Sequence, residues 1–377
     1  MNQRKIPAAD DDLLDVPVSV SSFVPDYPDG VDPVEAFSDL LDRVRRDVDA
    51  RLAGYLDARV AETARHGTAV EAMTRSVREL TLRGGKRLRA ALVVVGYLAS
   101  NARLSPEPAL DAGVAFELLQ TYLLVHDDWM DGDDVRRGGP SVPAMLREHH
   151  GSRALGDAAA VLAGDFAAAL SLDVLSRLDS PADRLVRAMS LFAEIQQNVI
   201  CGQQIDIVGY GPDLETSYSL KTGSYTVRGP LLLGATLAGA APEVIHALES
   251  YSAPLGVAFQ MQDDVLGTFG DPKRTGKPVG DDLRRGANTV VAAHARSMLH
   301  GDARAQFDAV FGNAEATDDQ VRQLTHTLVQ HGVRGAIVDR IFALIHQAIA
   351  QLVDVPFPTQ VRLWLLGFCS VIASRIH

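Results

Sequence analysis

His126-Asp127-Asp128-Trp129-Met130-Asp131-Gly132-Asp133-Asp134-Val135-Arg136-Arg137-Gly138 follows directly on the apolar run Leu118–Val125. With helical geometry through Met130, Asp127 and Asp131 lie four apart and share one face, and Asp128 sits about 100° round from Asp127. Carboxylates grouped at the end of an apolar helix suit a hard divalent cation, which prefers oxygen. Arg136 and Arg137 then offer planar, permanently charged forks of the kind that hold phosphate oxygens. Acid followed by base reads as metal plus polyphosphate. Taken alone, the string also describes a solvated helix end with charged turn residues.

The helix closed by this stretch is one of many. From Pro33 onward, Phe37, Leu40, Leu41, Val44, Val48, Leu52 and Tyr55 recur at three- and four-residue steps, the signature of a helix with one apolar face. Asp32 is placed to cap it, with Pro33 at its first position. The same texture predicts helices over 107–130, 182–208, 214–239, 243–269 and 287–300, among others, with short Gly/Pro/Asp breaks and scarce strand signals. Residues 1–32 are polar, with Asp10-Asp11-Asp12, three serines and four prolines, and read as an unstructured N-terminal arm. No linker divides 33–377. The expected fold is all-α: a single-domain bundle of long helices around a deep central cavity.

Composition narrows the function. Thirty-six basic against 48 acidic residues give a net charge of −12, which excludes broad binding to nucleic acid or to an anionic membrane surface. An anionic substrate must then be met by local cations and metal. Two cysteines, Cys201 and Cys369, form no disulfide framework and fit a reducing, cytoplasmic location. Neither an apolar secretory region near Met1 nor an uncharged apolar run of about 18 residues is found, so no signal and no membrane span are expected.

Four further constellations carry chemistry. Gly84-Gly85-Lys86-Arg87-Leu88-Arg89 sets three cations behind two glycines at a helix start, which reads as a diphosphate clamp or as a glycine turn with basic surface residues. Gln120 lies seven residues before Asp127 and points the same way. Gln203 and Asp206 share a face of an otherwise apolar helix, and Lys221-Thr222 opens another polar point. Finally Phe259-Gln260-Met261-Gln262-Asp263-Asp264-Val265-Leu266-Gly267 again ends an apolar helix in adjacent acids. Cations follow in a Gly/Pro loop that includes Lys277, and then Gly280-Asp281-Asp282. This near-repeat changes the weighing. Two helices that each end in acids can oppose their carboxylates across a cavity and hold divalent ions between them.

Together these residues resemble a trans-isoprenyl diphosphate synthase of the polyprenyl synthetase family, over about residues 75–295. The resemblance implies the isoprenoid synthase fold and a cytoplasmic homodimer. It also implies magnesium, about three ions per site, bridging the carboxylates to an allylic diphosphate. Asp127, Asp128 and Asp131 match the first aspartate-rich motif, and Asp263 and Asp264 the second. Arg136, Lys221 and Lys277 match positions that hold the allylic diphosphate. Lys86, Arg89, Gln120 and Arg137 match those around isopentenyl diphosphate. Thr222 and Gln260 match residues lining the reacting carbons. Two positions depart from the family: Gly267 stands where many members have a third Asp, and Ala287 where a lysine is frequent.

The reaction implied is head-to-tail condensation of an allylic primer (dimethylallyl, geranyl or farnesyl diphosphate) with isopentenyl diphosphate. Ionisation leaves diphosphate and an allylic cation; metal and cations stabilise the first, and a dry cavity protects the second. Tyr122 and Leu123, one turn before Asp127, are expected to set product length. A single aromatic there resembles geranylgeranyl-type synthases, with a farnesyl product as the alternative. A terpene cyclase fits less well, because the second motif is Asp-rich. A His-Asp phosphohydrolase fits less well because His149-His150 are poorly spaced. The rival of another class is a non-catalytic regulatory subunit.

Overall fold

The computed structural model describes residues 31–374 apart from 102, 210–212, 271–279 and 354. The expected arm 1–32 therefore lies almost wholly outside the described residues, and so does Lys277. The described chain is nearly all helix. Helix α1 (Pro33–Thr63) starts as its sequence dictates: the Asp32 carboxylate accepts from the Val34 amide at 3.0 Å, and Pro33 takes the first turn. Its buried stripe, Phe37, Leu40, Val44, Val48, Leu52, Leu56 and Val60, repeats at helical pitch and packs on α16 (Thr359–Ser374).

The centre is built from α2 (Thr68–Leu82), α3 (Leu88–Leu98), α4 (Glu107–Asp131), α5 (Val142–His150), α6 (Arg153–Ser176) and α7 (Ala182–Val208). Helix α4 is buried on nearly every side from Ala109 to Val125, lying between α3 and α6. Such all-round burial explains why its sequence shows so little amphipathic pattern. Helix α10 (Pro242–Phe269) packs on α15 (Val333–Ala350) and delivers the second acid motif. By length and apolar composition α6 could span a bilayer. It nonetheless packs along α4 and α5, and its Asp173 accepts from the Tyr55 hydroxyl at 2.8 Å.

Three local features depart from the regular helices expected. The helix predicted over 214–239 is broken into α8 (Leu214–Tyr218), a π-helical segment (Ser219–Arg228) and α9 (Gly229–Ala238). The Gly229 amide reaches five residues back to the Ser224 carbonyl. Pro230, which has no N–H and crowds the preceding turn, gives the physical reason for the wider winding. Helix α11 (Asp281–Arg285) precedes α12 (Val290–Met298), where one helix over 287–300 was expected. Between α4 and α5, β1 (Val135–Arg136) pairs antiparallel with β2 (Gly139–Pro140). Its two-residue turn, Arg137 at φ 53 and Gly138 at φ 73, is the positive-φ type that hairpins favour.

The π-helical segment is wedged by close backbone approaches. A Cβ on Gly256 would lie 2.4 Å from Gly223 Cα, and one on Gly202 would lie 2.5 Å from the Lys221 nitrogen. These contacts fix where Lys221 and Thr222 stand. Gly256→Ala is expected to cost about 1–3 kcal/mol by overpacking against rigid backbone, read as a lower midpoint in urea unfolding.

Candidate active site

The two acid-ended helices meet as their repeated pattern anticipates. Asp127 and Asp131 from α4 and Asp263 and Asp264 from α10 line one chamber of about 510 Å³. The chamber also takes Asp206 from α7, Asp281, Asp282 and Arg285 from α11, and Lys221 and Gln260. Asp127 and Lys221 border a second, mostly apolar groove of about 240 Å³, lined by Gln120, Tyr122, Leu123, Val199, Ile200, Tyr225 and others. The site is thus an acidic mouth opening onto an apolar trough.

Each acid has a distinct environment. Asp127 accepts from Gln203 Nε2 at 3.2 Å. Asp131 pairs with Arg285 at 2.8 Å. Asp128 behaves differently from its neighbours: it is fully buried, bonded to Arg136 Nε at 2.6 Å, and set behind the chamber wall. Its Oδ2 is buried with no hydrogen bond. Burial lifts its carboxyl to about 6, against the pull of Arg136. Arg136 also lies 3.3 Å from Asp133 and 3.6 Å from Asp127.

Across the chamber, Asp264 is the hub of a buried chain. It accepts from Tyr218 Oη, from the Val290 amide at 3.0 Å, and from Gln260 Nε2 at 2.9 Å. Gln260 in turn accepts from the buried Thr222 hydroxyl. Burial raises the Asp264 carboxyl to about 7 in spite of these donors. Lys221 bonds Asp206; burial pulls its ammonium down, but Asp206 and Asp127 together hold it above the usual value. A side chain at Gly267 would run into Asp282, whose Oδ2 lies 2.4 Å from where a Cβ would sit.

The cations read from Gly84–Arg89 stand on the neighbouring wall. Arg87 takes a left-handed conformation, φ 52, and turns inward to Glu117 at 3.0 Å and Asp49 at 2.6 Å. That leaves Lys86 and Arg89 on the outer side of the junction. Arg89 donates to Thr226 at 2.8 Å and lies 4.3 Å over the Tyr225 ring. Arg137 donates to the carbonyls of Gly84 at 3.0 Å and Leu80 at 3.3 Å. Burial lowers its pKa, and Arg87, Arg89 and Arg136 add to the effect while Glu117 opposes it. A half-buried guanidinium crowded by cations suits an anion. His126 turns to the Tyr122 ring at 4.8 Å and the Val161 carbonyl at 3.1 Å, a packing role.

The family model for polyprenyl synthetase matches residues 70–328. The chain belongs to this family. It is 33% identical over 256 residues to a short chain isoprenyl diphosphate synthase of Methanocaldococcus jannaschii, covering 67% of this chain and 74% of that one. To a geranylgeranyl diphosphate synthase of Methanosarcina mazei it is 31% identical over 275 residues, covering 70% and 78%. A geranylgeranyl pyrophosphate synthase of Corynebacterium glutamicum, solved with isoprenyl diphosphate and magnesium, superposes with a TM-score of 0.82 at 32% identity, covering 89% of this chain and 99% of that one. This polyprenyl synthetase is accordingly a trans-prenyltransferase of the isoprenoid synthase fold, joining allylic and isopentenyl diphosphates head to tail.

Use of magnesium is general to the family, and the donor set fits it. Among the described residues no three acids, histidines or cysteines are grouped as a ready-made ligand cluster. Magnesium suits such a site, since it keeps waters and binds through one or two carboxylates plus substrate phosphates. The sequence marks Asp206, Asp281 and Asp282 without assigning them to this chamber, and gives Tyr218 and Arg285 no site role. Tyr218 has no local signal, and Asp206 pairs with Lys221 only through the fold.

The raised pKa of Asp264 has a stability consequence. The folded state holds its proton more tightly than the unfolded chain, whose value is near 3.8. The stability this gives is full below about 4 and is lost as pH rises through about 7. In metal-free buffer, Asp264→Asn should therefore gain on the parent between pH 4 and 7.5. Urea midpoints that keep a constant difference across that range would contradict the assignment.

Proposed function

We propose that this prenyltransferase makes geranylgeranyl diphosphate, with Asp127, Asp131, Asp263 and Asp264 as the acids that meet about three magnesium ions and the allylic diphosphate. Asp128 supports them from behind the wall by fixing Arg136. Bound magnesium would neutralise charge growing on the departing diphosphate. Lys221 and Arg136 offer cations to the same diphosphate, and Lys277, outside the described residues, is assigned there too. Lys86, Arg89, Arg137 and Gln120 receive isopentenyl diphosphate. Gln120 is buried with an unpartnered Oε1, facing the shared groove.

The carrying observation is the facing of two acid sets across one chamber that continues into an apolar groove through Asp127 and Lys221. Gln260 lines the acid chamber, and the Thr222 hydroxyl donates to its carbonyl oxygen beside Lys221. These dipoles favour positive charge on the reacting carbons, and the apolar groove excludes water from it. The departing diphosphate takes the proton lost at the end. Tyr122, buried and hydrogen-bonded to Gln196, with Leu123 beside it in the groove, supports the twenty-carbon reading by flooring the trough on one side.

The experiment is product analysis of the purified chain with magnesium, isopentenyl diphosphate and each of dimethylallyl, geranyl and farnesyl diphosphate. All three primers are expected to yield the twenty-carbon product, and Asp127→Ala to lose about 10²–10³-fold in turnover. A farnesyl primer that is never extended would remove the geranylgeranyl assignment. Full activity in Asp127→Ala would remove the metal role of that residue.

A homodimer is the second part of this reading. Leu155 and Leu162, each 60% exposed, and Leu172, at 48%, lie along the outer face of α6, an apolar surface of the kind that subunits cover. Light scattering is expected to give twice the chain mass, 81 kDa on a monomer of 40.5 kDa, and Leu162→Glu to shift it toward one.

A further inference from the structure

Two cations reach the acid chamber among its described lining residues, and a wall carboxylate holds each: Lys221 by Asp206 and Arg285 by Asp131. The second pair is unusual in its position. Arg285 ends α11 and Asp131 ends α4, so their 2.8 Å contact ties the tip of the first acid motif to the wall opposite. Asp281, at 3.9 Å, and Asp133 also act on the guanidinium.

The pair is also readily exchanged. Its side chains are 40% and 28% exposed, and an ion pair that water reaches contributes little and opens easily. The Arg136–Asp128 pair is the contrast: Asp128 is wholly buried, and separating those charges would strand one of them. Asp131 is also the carboxylate that reaches farthest along its helix into the chamber mouth. A divalent ion arriving there competes with Arg285 for the same oxygens. An arginine expelled by that ion has a second client within reach, because its fork fits phosphate oxygens as it fits a carboxylate.

Resting on the prenyl synthase reading above, we propose that Arg285 is a partner-exchanging cation. It occupies Asp131 while the chamber holds no metal, yields that carboxylate to the divalent ion, and then binds the diphosphate of the allylic substrate. Arg285 lines the acid chamber with Asp127, Asp131, Asp263 and Asp264, whereas Lys86, Arg89 and Arg137 are not among that chamber's lining residues, so Arg285 is assigned to the allylic side.

The role makes two effects of opposite sign, which a mere strut would not. In the full-length chain without substrate, Arg285→Ala removes a competitor from Asp131. Calorimetric titration with magnesium or manganese should show affinity rising about two- to fivefold. In steady-state assays the same variant should raise the KM for the allylic diphosphate about tenfold or more and leave the KM for isopentenyl diphosphate unchanged. Arg285→Lys, which keeps the charge, should remain near the parent in both. Metal affinity that is unchanged or weaker in Arg285→Ala, or both KM values rising together, would overturn the exchange. A parent chain without metal-dependent condensation would instead sink the prenyl synthase reading, and the substrate-free titration would still judge Arg285.

Discussion

Crowding of negative charge in one chamber is the constraint on which this structure turns. Among the described residues seven carboxylates line it: Asp127, Asp131, Asp206, Asp263, Asp264, Asp281 and Asp282. Two like charges about 7 Å apart repel by about 2 kcal/mol at an effective dielectric of 20, so such a wall is held only with compensation. Lys221 and Arg285 supply two positive charges. Asp264 retains its proton up to about 7, and Gln203 and Gln260 turn amide donors toward Asp127 and Asp264. The remaining negative charge is what divalent cations would offset. The same repulsion between carboxylates favours binding of such a cation.

The ion pairs divide by burial, and the division is functional. Arg87 and Glu117, 2% and 4% exposed, pair in the core beside Asp49. Breaking that pair would leave an uncompensated buried charge, worth about 3–5 kcal/mol. It holds Arg87 in its left-handed conformation and so sets where Lys86 and Arg89 emerge. Arg136–Asp128 anchors the first motif in the same manner. The pairs on the chamber surface, Lys221–Asp206 and Arg285–Asp131, are open to water. Fixed pairs thus form the frame, and labile pairs form the face that ligands meet.

Much of this was legible in the sequence for clear physical reasons. The apolar periodicity of α1 and its Asp32 cap are local, and the structure reproduces both. The doubled pattern of acids at helix ends is local too, and its pairing across the chamber follows from two helices sharing one core. What could not be read depended on contacts distant in sequence. The π-helical winding needs Pro230 and the approach of Gly256 on another helix. The inward turn of Asp128 depends on Arg136 reaching it around a hairpin whose Arg137-Gly138 turn lacks the usual Asn-Gly signature. The departure at Gly267 looked like a loss of charge when read along the chain. In space, the Asp282 carboxylate fills the volume that a side chain at 267 would need, so the chamber keeps an acid at that point.

The π-helical segment touches both cavities and the cation beside them. Lys221 lines the acid chamber and the apolar groove, Tyr225 lines the groove with it, and Tyr225 and Thr226 brace Arg89. A π-helix advances less than the 100° per residue of an α-helix, and Lys221 and Tyr225, four apart, stand on one face of the trough. Lys221 and the braces of Arg89 therefore share one backbone strut. The spacing between these two cations is a fixed length of the fold, set by the winding of a single helical segment.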